Sequence, residues 1–322
     1  MRSLGKRAYA GLLLLAVLVA LQAFVFNRGI PRVDIVEKVH FIQYGLLALL
    51  LYRAVRVSGD LSMVAIPLLG ALATGSLEEW VQWLVPLRVG EVMDVALNLY
   101  AGACGLVLGW TVYPPAEFRF RLPAPSLRLV SGFAASAILL FGLFYHCAHL
   151  GYLLRDPEIG EFRSWHSLRS LEEKTALYAA LWQRQPPQLD RVLDVENRFA
   201  TEAGWHVSAR NGAYSRGDYC TALKENQILE KYFQPFLDIP NKNAAGTRRL
   251  SSDQDRELET KTAGKCPDFR SEALENRIDT RIHKKTWWLF VTSLLGIVGA
   301  IGIFQKQRKA SGKGKSGSSG GT

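Results

Sequence analysis

Seven polar side chains lie inside otherwise apolar stretches of the first 113 residues, where a charge or an amide is costly and marks a candidate site. An imidazole and a carboxylate can exchange protons there, and a guanidinium can anchor an anion. Two interpretations stay open: a pocket that binds a lipid-linked or anionic headgroup, or polar clamps between helices. The seven residues are His40, Tyr44, Glu79, Gln82, Arg88, Asp94 and Asn98.

Helical spacing brings several of these residues onto common faces. Asp94, Asn98 and Gly102 are four residues apart, so they form one stripe along a helix. In the preceding segment, 78–88, Pro86 is expected to end the helix because proline lacks the backbone N–H. This segment is therefore predicted to be a short re-entrant or interfacial helix, whose polar groups need cover from protein or water.

The ordered set of polar residues resembles the VanZ-like family of small membrane proteins, over about residues 8–113. The acidic residue that precedes His40 is Glu37, where that family more often has aspartate. The resemblance implies a polytopic membrane fold, first noticed through glycopeptide-antibiotic resistance, and implies no settled reaction. The residues that carry it are His40, Tyr44, Glu79, Gln82, Pro86, Arg88, Asp94, Asn98 and Gly102.

The elements that must position these residues are membrane-spanning helices, each of which needs about 20 apolar residues. Candidate spans cover residues 8–26, 39–55, 61–77, 92–113, 129–154 and 287–304. The sequence thus predicts an all-α polytopic bundle of about six spans, with an extracytoplasmic helical domain between spans five and six. The expected domains are a VanZ-like four-span membrane domain at 1–128, a fifth span at 129–154, a periplasmic helical domain with a polar arm at 155–285, a sixth span at 286–305 and a flexible basic cytoplasmic tail at 306–322.

The distribution of basic residues predicts the orientation. Lysine and arginine cluster at the N-terminus, after the second and fourth spans, and in the C-terminal tail. Such clusters stay in the cytoplasm, so both termini are expected there, in a bacterial inner membrane, with residues 155–285 in the periplasm. Attraction to lipid headgroups accounts for the net charge of +10, and we expect no nucleic-acid partner.

His146 and His149 lie near the outer end of the fifth span and share a helical face. They could hold a metal or a tetrapyrrole, or they could be interfacial residues like the adjacent Tyr145. The second interpretation needs no cofactor, and we predict none apart from bound lipid. Cys220 and Cys266 fall in the outer region, where an oxidising compartment would let them pair; two free thiols are the alternative.

The outer region is predicted to be helical, and residues 205–235 weakly resemble a single tetratricopeptide-type hairpin; a plain helical bundle is the alternative. The polar stretch 241–266 is expected to be a loop or a partly ordered arm, followed by a helix at 270–285. This region has no phosphate-binding glycine loop and no HExxH motif.

Enzymatic activity is therefore not the expected function. The leading hypothesis is a non-catalytic accessory or scaffolding subunit of a larger integral membrane protein complex, which docks through the periplasmic domain and the membrane helices. Small residues at 296, 299, 300 and 302 would let the last span pack closely against another helix. The alternative is a VanZ-like cell-envelope protein that binds or processes a lipid-linked or anionic headgroup, as in antibiotic resistance.

Overall fold

The computed structural model describes residues 6–25, 31–85, 90–185, 196–239, 248–263, 266 and 268–314. The fold is mostly helical, with one small two-stranded sheet. The chain divides into two compact units. The apolar unit comprises Met1–Glu79, Glu91–Phe144 and Trp287–Thr322, and the hairpin unit comprises Trp80–Gly90 and Tyr145–Thr286.

Helices and strands follow the chain in a simple order. The helices are α1 (Lys6–Val25), α2 (Pro31–Val55), α3 (Ser62–Leu84), α4 (Val92–Val112), α5 (Ala124–Ala148), α6 (Leu168–Trp182), α7 (Glu196–Ser215), α8 (Tyr219–Tyr232), α9 (Gln234–Leu237), α10 (Ser252–Thr262) and α11 (Lys284–Gly314). The strands, β1 (Tyr152–Asp156) and β2 (Gly160–Ser164), lie between α5 and α6.

Five helices in the described part of the chain are long and apolar enough to cross a membrane. These stretches are Lys38–Ser58, Ser62–Leu84, Val92–Val112, Ala124–Ala148 and Lys284–Gly302. In α1 the apolar stretch, Ala8–Gln22, is shorter, so a sixth span stays a prediction.

The segment 78–88, predicted to be a separate re-entrant or interfacial helix, continues the preceding helix in its described part. Glu78, Glu79 and Gln82 belong to the last turns of the continuous helix α3, which ends at Leu84. A continuous helix satisfies its backbone hydrogen bonds within the segment, which is the requirement inside a bilayer. Pro86 lies outside the described residues.

Glycines of α4 let its backbone approach α2 and α3 closely. A Cβ added to Gly105 of α4 would lie 2.0 Å from the carbonyl oxygen of Gly45 in α2. A Cβ added to Gly102 would lie 2.8 Å from the Cβ of Ala71 in α3. Small residues permit this approach, so α4 packs closely against both neighbours.

An antiparallel β-hairpin corrects the all-α prediction. Helix α5 ends at Ala148, earlier than the predicted span end at residue 154, and the chain turns into β1. Leu154 pairs with Phe162 in the register, and both side chains lie in the apolar core. The Asp156 carboxylate accepts backbone N–H groups of Glu158 at 2.9 Å and Ile159 at 3.1 Å, which closes the turn.

Helices α6 to α9 pack on the hairpin around an aromatic core. The single helix α7 covers Glu196–Ser215 and leads into α8, so residues 205–235 form a helical hairpin. The chain turns at Gly217, which has a φ of 76°, and the Asp218 side chain caps α8 by accepting the Thr221 N–H at 3.2 Å. The largest core side chains include Phe162, Leu171, Phe199, Ile228, Leu229, Phe233 and Leu237.

Two predictions for the end of this unit are wrong. The stretch expected to be a loop contains α10, which begins with a reciprocal capping box between Ser251 and Gln254. Residues 270–283 form turns and short bridges instead of a helix. The Ser271 N–H donates to the Glu161 carbonyl at 2.8 Å, so this segment satisfies its backbone against the edge of the hairpin.

Candidate intramembrane polar site

Helix α2 presents His40 and Tyr44 to Glu78 on α3. The Tyr44 hydroxyl donates to Glu78 Oε2 at 2.6 Å, and His40 Nε2 lies 3.5 Å from Glu78 Oε1. Tyr44 is buried, whereas the His40 and Glu78 side chains keep 19% and 34% of their exposure. The arrangement therefore leaves the carboxylate and the imidazole accessible from outside the helix bundle.

Glu79, the acidic residue chosen from the sequence, has a different role. Its side chain is fully buried, and Oε2 accepts the backbone N–H of Glu91 at 3.0 Å. Glu91 is the N-cap residue of α4, where unsatisfied N–H groups attract a carboxylate. Glu79 thus fixes the start of α4 against α3.

Asp94, Asn98 and Gly102 share one face of α4, as their spacing predicts, and Asn98 and Gly102 contact α3. Asn98 lies against Gly75, whose added Cβ would be 3.2 Å from the Asn98 amide nitrogen. Asn98 is fully buried, and neither atom of its amide has a hydrogen-bond partner among the described residues. A polar clamp would donate or accept across the helix contact, so this geometry does not support a clamp at Asn98.

Four acidic side chains lie close together in the described site. The carboxylates of Asp94, Glu78 and Glu91 are all near enough to repel a negative charge on Glu79. Gln82 lies one turn beyond Glu79 and is half-buried. Arg88, the cation that the sequence placed in this site, lies outside the described residues. The described groups therefore mainly accept hydrogen bonds, and they include Glu78, which the sequence interpretation passed over and whose side chain keeps 34% of its exposure.

The histidines near the end of α5 do not form a metal centre with other ligands in the described part of the chain, where no group of three His, Cys, Asp or Glu side chains could hold an ion. His149 is buried, and its Nδ1 lies 2.9 Å from the backbone oxygen of Arg277. This contact ties its ring to the backbone. His146 lies on the last turn of α5, and its side chain is half-buried.

A second buried polar group occurs in the hairpin unit, and the sequence analysis missed it. His206 Nδ1 lies 2.7 Å from Glu225 Oε2, and the Ser271 hydroxyl donates to Glu225 Oε1 at 2.5 Å. Arg210, one turn from His206, donates to Asn226 Oδ1 at 2.9 Å. Regular four-residue spacing along α7 was the available signal. These bonds join α7, α8 and the segment after the last cysteine.

Glu202 continues the same stripe of α7. It is fully buried and accepts the Trp165 backbone N–H at 3.2 Å. Burial raises the pKa of Glu202 to about 7, although hydrogen bonds from Ser164 and Trp165 and the nearby His206 oppose the rise. The group is thus a carboxyl that titrates near neutral pH inside a folded core.

The outer-region cysteines are bonded to each other. Cys220, on the first turn of α8, and Cys266 form a disulfide with their Cα atoms 5.5 Å apart. Cys104 is buried and Cys147 is half-buried; neither is in a disulfide. The chain significantly matches no protein-family model, no curated protein sequence and no solved structure. The VanZ-like resemblance therefore stays a prediction.

Proposed function

We propose that this protein binds the polar headgroup of a membrane lipid or lipid-linked molecule at His40, Tyr44 and Glu78. The observation that carries the proposal is the accessible Glu78 carboxylate, located on a helix apolar enough to cross a membrane. Tyr44 and His40 orient it, and no lysine or arginine among the described residues pairs with it. An ionisable group in a bilayer is costly and marks a candidate functional site.

The charge of the site favours one kind of headgroup. Glu78 supplies carboxylate oxygens, which accept hydrogen bonds, and the partly exposed Glu91 and Asp94 add negative charge to the same site. We therefore propose a headgroup that donates, through sugar hydroxyls or an amine. The earlier expectation of an anionic headgroup depended on Arg88.

Lipids that remain bound through mild-detergent purification test this proposal. A hydrogen bond to a charged group contributes about 1.5–3 kcal/mol, so Glu78→Gln should weaken retention of the bound lipid at least about tenfold. Tyr44→Phe should weaken it less, because the carboxylate remains. Asp253→Asn is the matched control, since Asp253 is exposed on α10. Native mass spectrometry measures the retained lipid, and full retention by a folded Glu78→Gln protein would refute the proposal.

An accessory role in a membrane complex is the second candidate, and α11 favours it. The first turns of α11 contact α5: Trp287 Nε1–H donates to the Gly142 carbonyl at 3.0 Å, and Val291 lies against Gly142. Further along, Leu289 and Ile297 are exposed, and a Cβ added at Gly299 would meet nothing within 4 Å. This surface can accept another helix.

A larger residue on the open face of α11 distinguishes a partner from lipid. Gly299→Leu should leave the fold intact, because the added side chain meets nothing in this chain. If a partner helix packs there, the variant should lose that protein from a complex purified in mild detergent. Gly132→Leu on α5 is the matched control, since Gly132 is equally open. Identical complexes from both variants would contradict docking through α11.

A further inference from the structure

Two connecting loops of the apolar unit meet to enclose a cleft of about 530 Å³. One is the turn after α2, which contains Gly59 with a φ of 59°; the other joins α4 to α5. The Arg119 N–H donates to the Gly59 carbonyl at 2.8 Å, and the Leu61 N–H donates to the Arg121 carbonyl at 3.1 Å. These backbone bonds hold the two loops together, so the cleft is preformed.

Three arginines, Arg56, Arg119 and Arg121, are among the residues that line this cleft. Arg119 is paired with Glu117 at 2.7 Å. Arg56 lies 5.7 Å from the centre of the Tyr113 ring. Neither Arg56 nor Arg121 has a carboxylate within ion-pair distance among the described residues. Two positive charges in the cleft are therefore available to a ligand.

Asp60, the other acidic residue of the cleft, does not neutralise these arginines. Its carboxylate accepts the Ser62 N–H at 2.8 Å and the Ser126 hydroxyl at 2.6 Å. Burial alone would raise the pKa of Asp60, but these hydrogen bonds outweigh it and lower the pKa. Asp60 is only 3% exposed, so its carboxylate accepts hydrogen bonds within the loop and is largely shielded from the cleft.

We infer that this cleft binds a phosphate-type anion, specifically the headgroup phosphate of an anionic membrane lipid. Paired N–H groups of a guanidinium match two phosphate oxygens, which makes arginine suited to this recognition. Its position in the connections between helices able to cross a membrane favours a lipid over free phosphate. Along α2, Arg56 lies about 18 Å from Tyr44 at 1.5 Å per residue, so this cleft is separate from the site at Glu78.

Lipid titration of the full-length protein in mild detergent tests the inference. The probes are phosphatidylglycerol, phosphatidylcholine and inorganic phosphate, and native mass spectrometry counts the bound molecules. Arg121→Ala and Arg56→Ala should each lower the affinity for phosphatidylglycerol about tenfold. The affinity of Arg121→Lys should fall between those of wild type and Arg121→Ala, because lysine keeps the positive charge but lacks the paired N–H donors of a guanidinium. Arg128→Ala is the matched control, since Arg128 is exposed on α5 and does not line the cleft.

Each outcome bears directly on the inference. Stronger binding of phosphatidylglycerol than of phosphatidylcholine, lost with Arg121 or Arg56 and kept in the Arg128 variant, supports it. Equal binding by all variants, or equal binding of the two lipids, overturns it. Saturable binding of inorganic phosphate that displaces the lipid would reassign the site to a free anion. Gel filtration and thermal unfolding establish that each variant is folded. If Arg121→Ala does not fold, Arg121→Lys is used to test the contribution of Arg121.

Discussion

Replacing Glu202 with Gln should change how the stability of the hairpin unit depends on pH. The folded protein raises the pKa of this carboxyl from 4.5 to about 7, mainly through burial. Between these values the folded state keeps a proton that the unfolded state has released, so stability falls as pH rises. At about 1.4 kcal/mol per pH unit over about 2.5 units, wild type loses about 3 kcal/mol, a loss that is complete above pH 7. Glutamine does not ionise, so the Glu202→Gln protein does not undergo this loss of stability.

Proteolysis of the full chain in mild detergent at low protease concentration measures this effect, because cleavage that is slow relative to reclosing reports the equilibrium population of the open unit. We expect equal stability of the two proteins near about pH 4.5 and an advantage of about 3 kcal/mol for Glu202→Gln near about pH 8. Glu172→Gln is the control, since Glu172 is exposed on α6. Parallel stability curves for wild type and Glu202→Gln would show that the carboxyl ionises freely in the fold and would refute the reasoning.

Three further predictions concern other parts of the chain. Burial and the nearby Lys174 lower the pKa of His166 to about 4, so wild-type stability should fall as pH drops from 6.5 towards 4, and His166→Gln should abolish this acid dependence in the same proteolysis assay. Cys220→Ser should destabilise the hairpin unit by about 2–5 kcal/mol, and reductant should reproduce the effect on wild type only. Gly105→Ala should cost about 1–3 kcal/mol in detergent thermal unfolding because it clashes with the α2 backbone, whereas Gly132→Ala should be tolerated.

Periodicity made the apolar unit largely predictable. The predicted span at 92–113 agrees with α4, and the four-residue spacing of Asp94, Asn98 and Gly102 correctly predicted one helical face. The sequence could not choose between the adjacent acids at 78 and 79. A helix turns by about 100° per residue, so the two point to different neighbours, and only tertiary packing decides which one meets α2.

Elements stabilised by distant contacts were not predictable. The apolar run that continues α5 through Leu154 has the composition of a helix, and β1 forms because Leu154 packs with Phe162 across the hairpin. Likewise, the stretch after residue 241 is polar, yet α10 buries Leu258 against the α7–α8 turn. Such strands and helices depend on partners that no local pattern reveals.

The chain of hydrogen bonds from His206 through Glu225 to Ser271 has a consequence for cooperativity. It links three segments that are distant in sequence, and all three side chains are almost completely buried. If α8 opened alone, it would leave a buried imidazole and a buried hydroxyl without their partner, which adds about 1–3 kcal/mol per group to the cost of partial opening. Amide hydrogens of α7 and α8 should therefore exchange with a common opening free energy. A molecule that binds one of these helices should stabilise the whole unit.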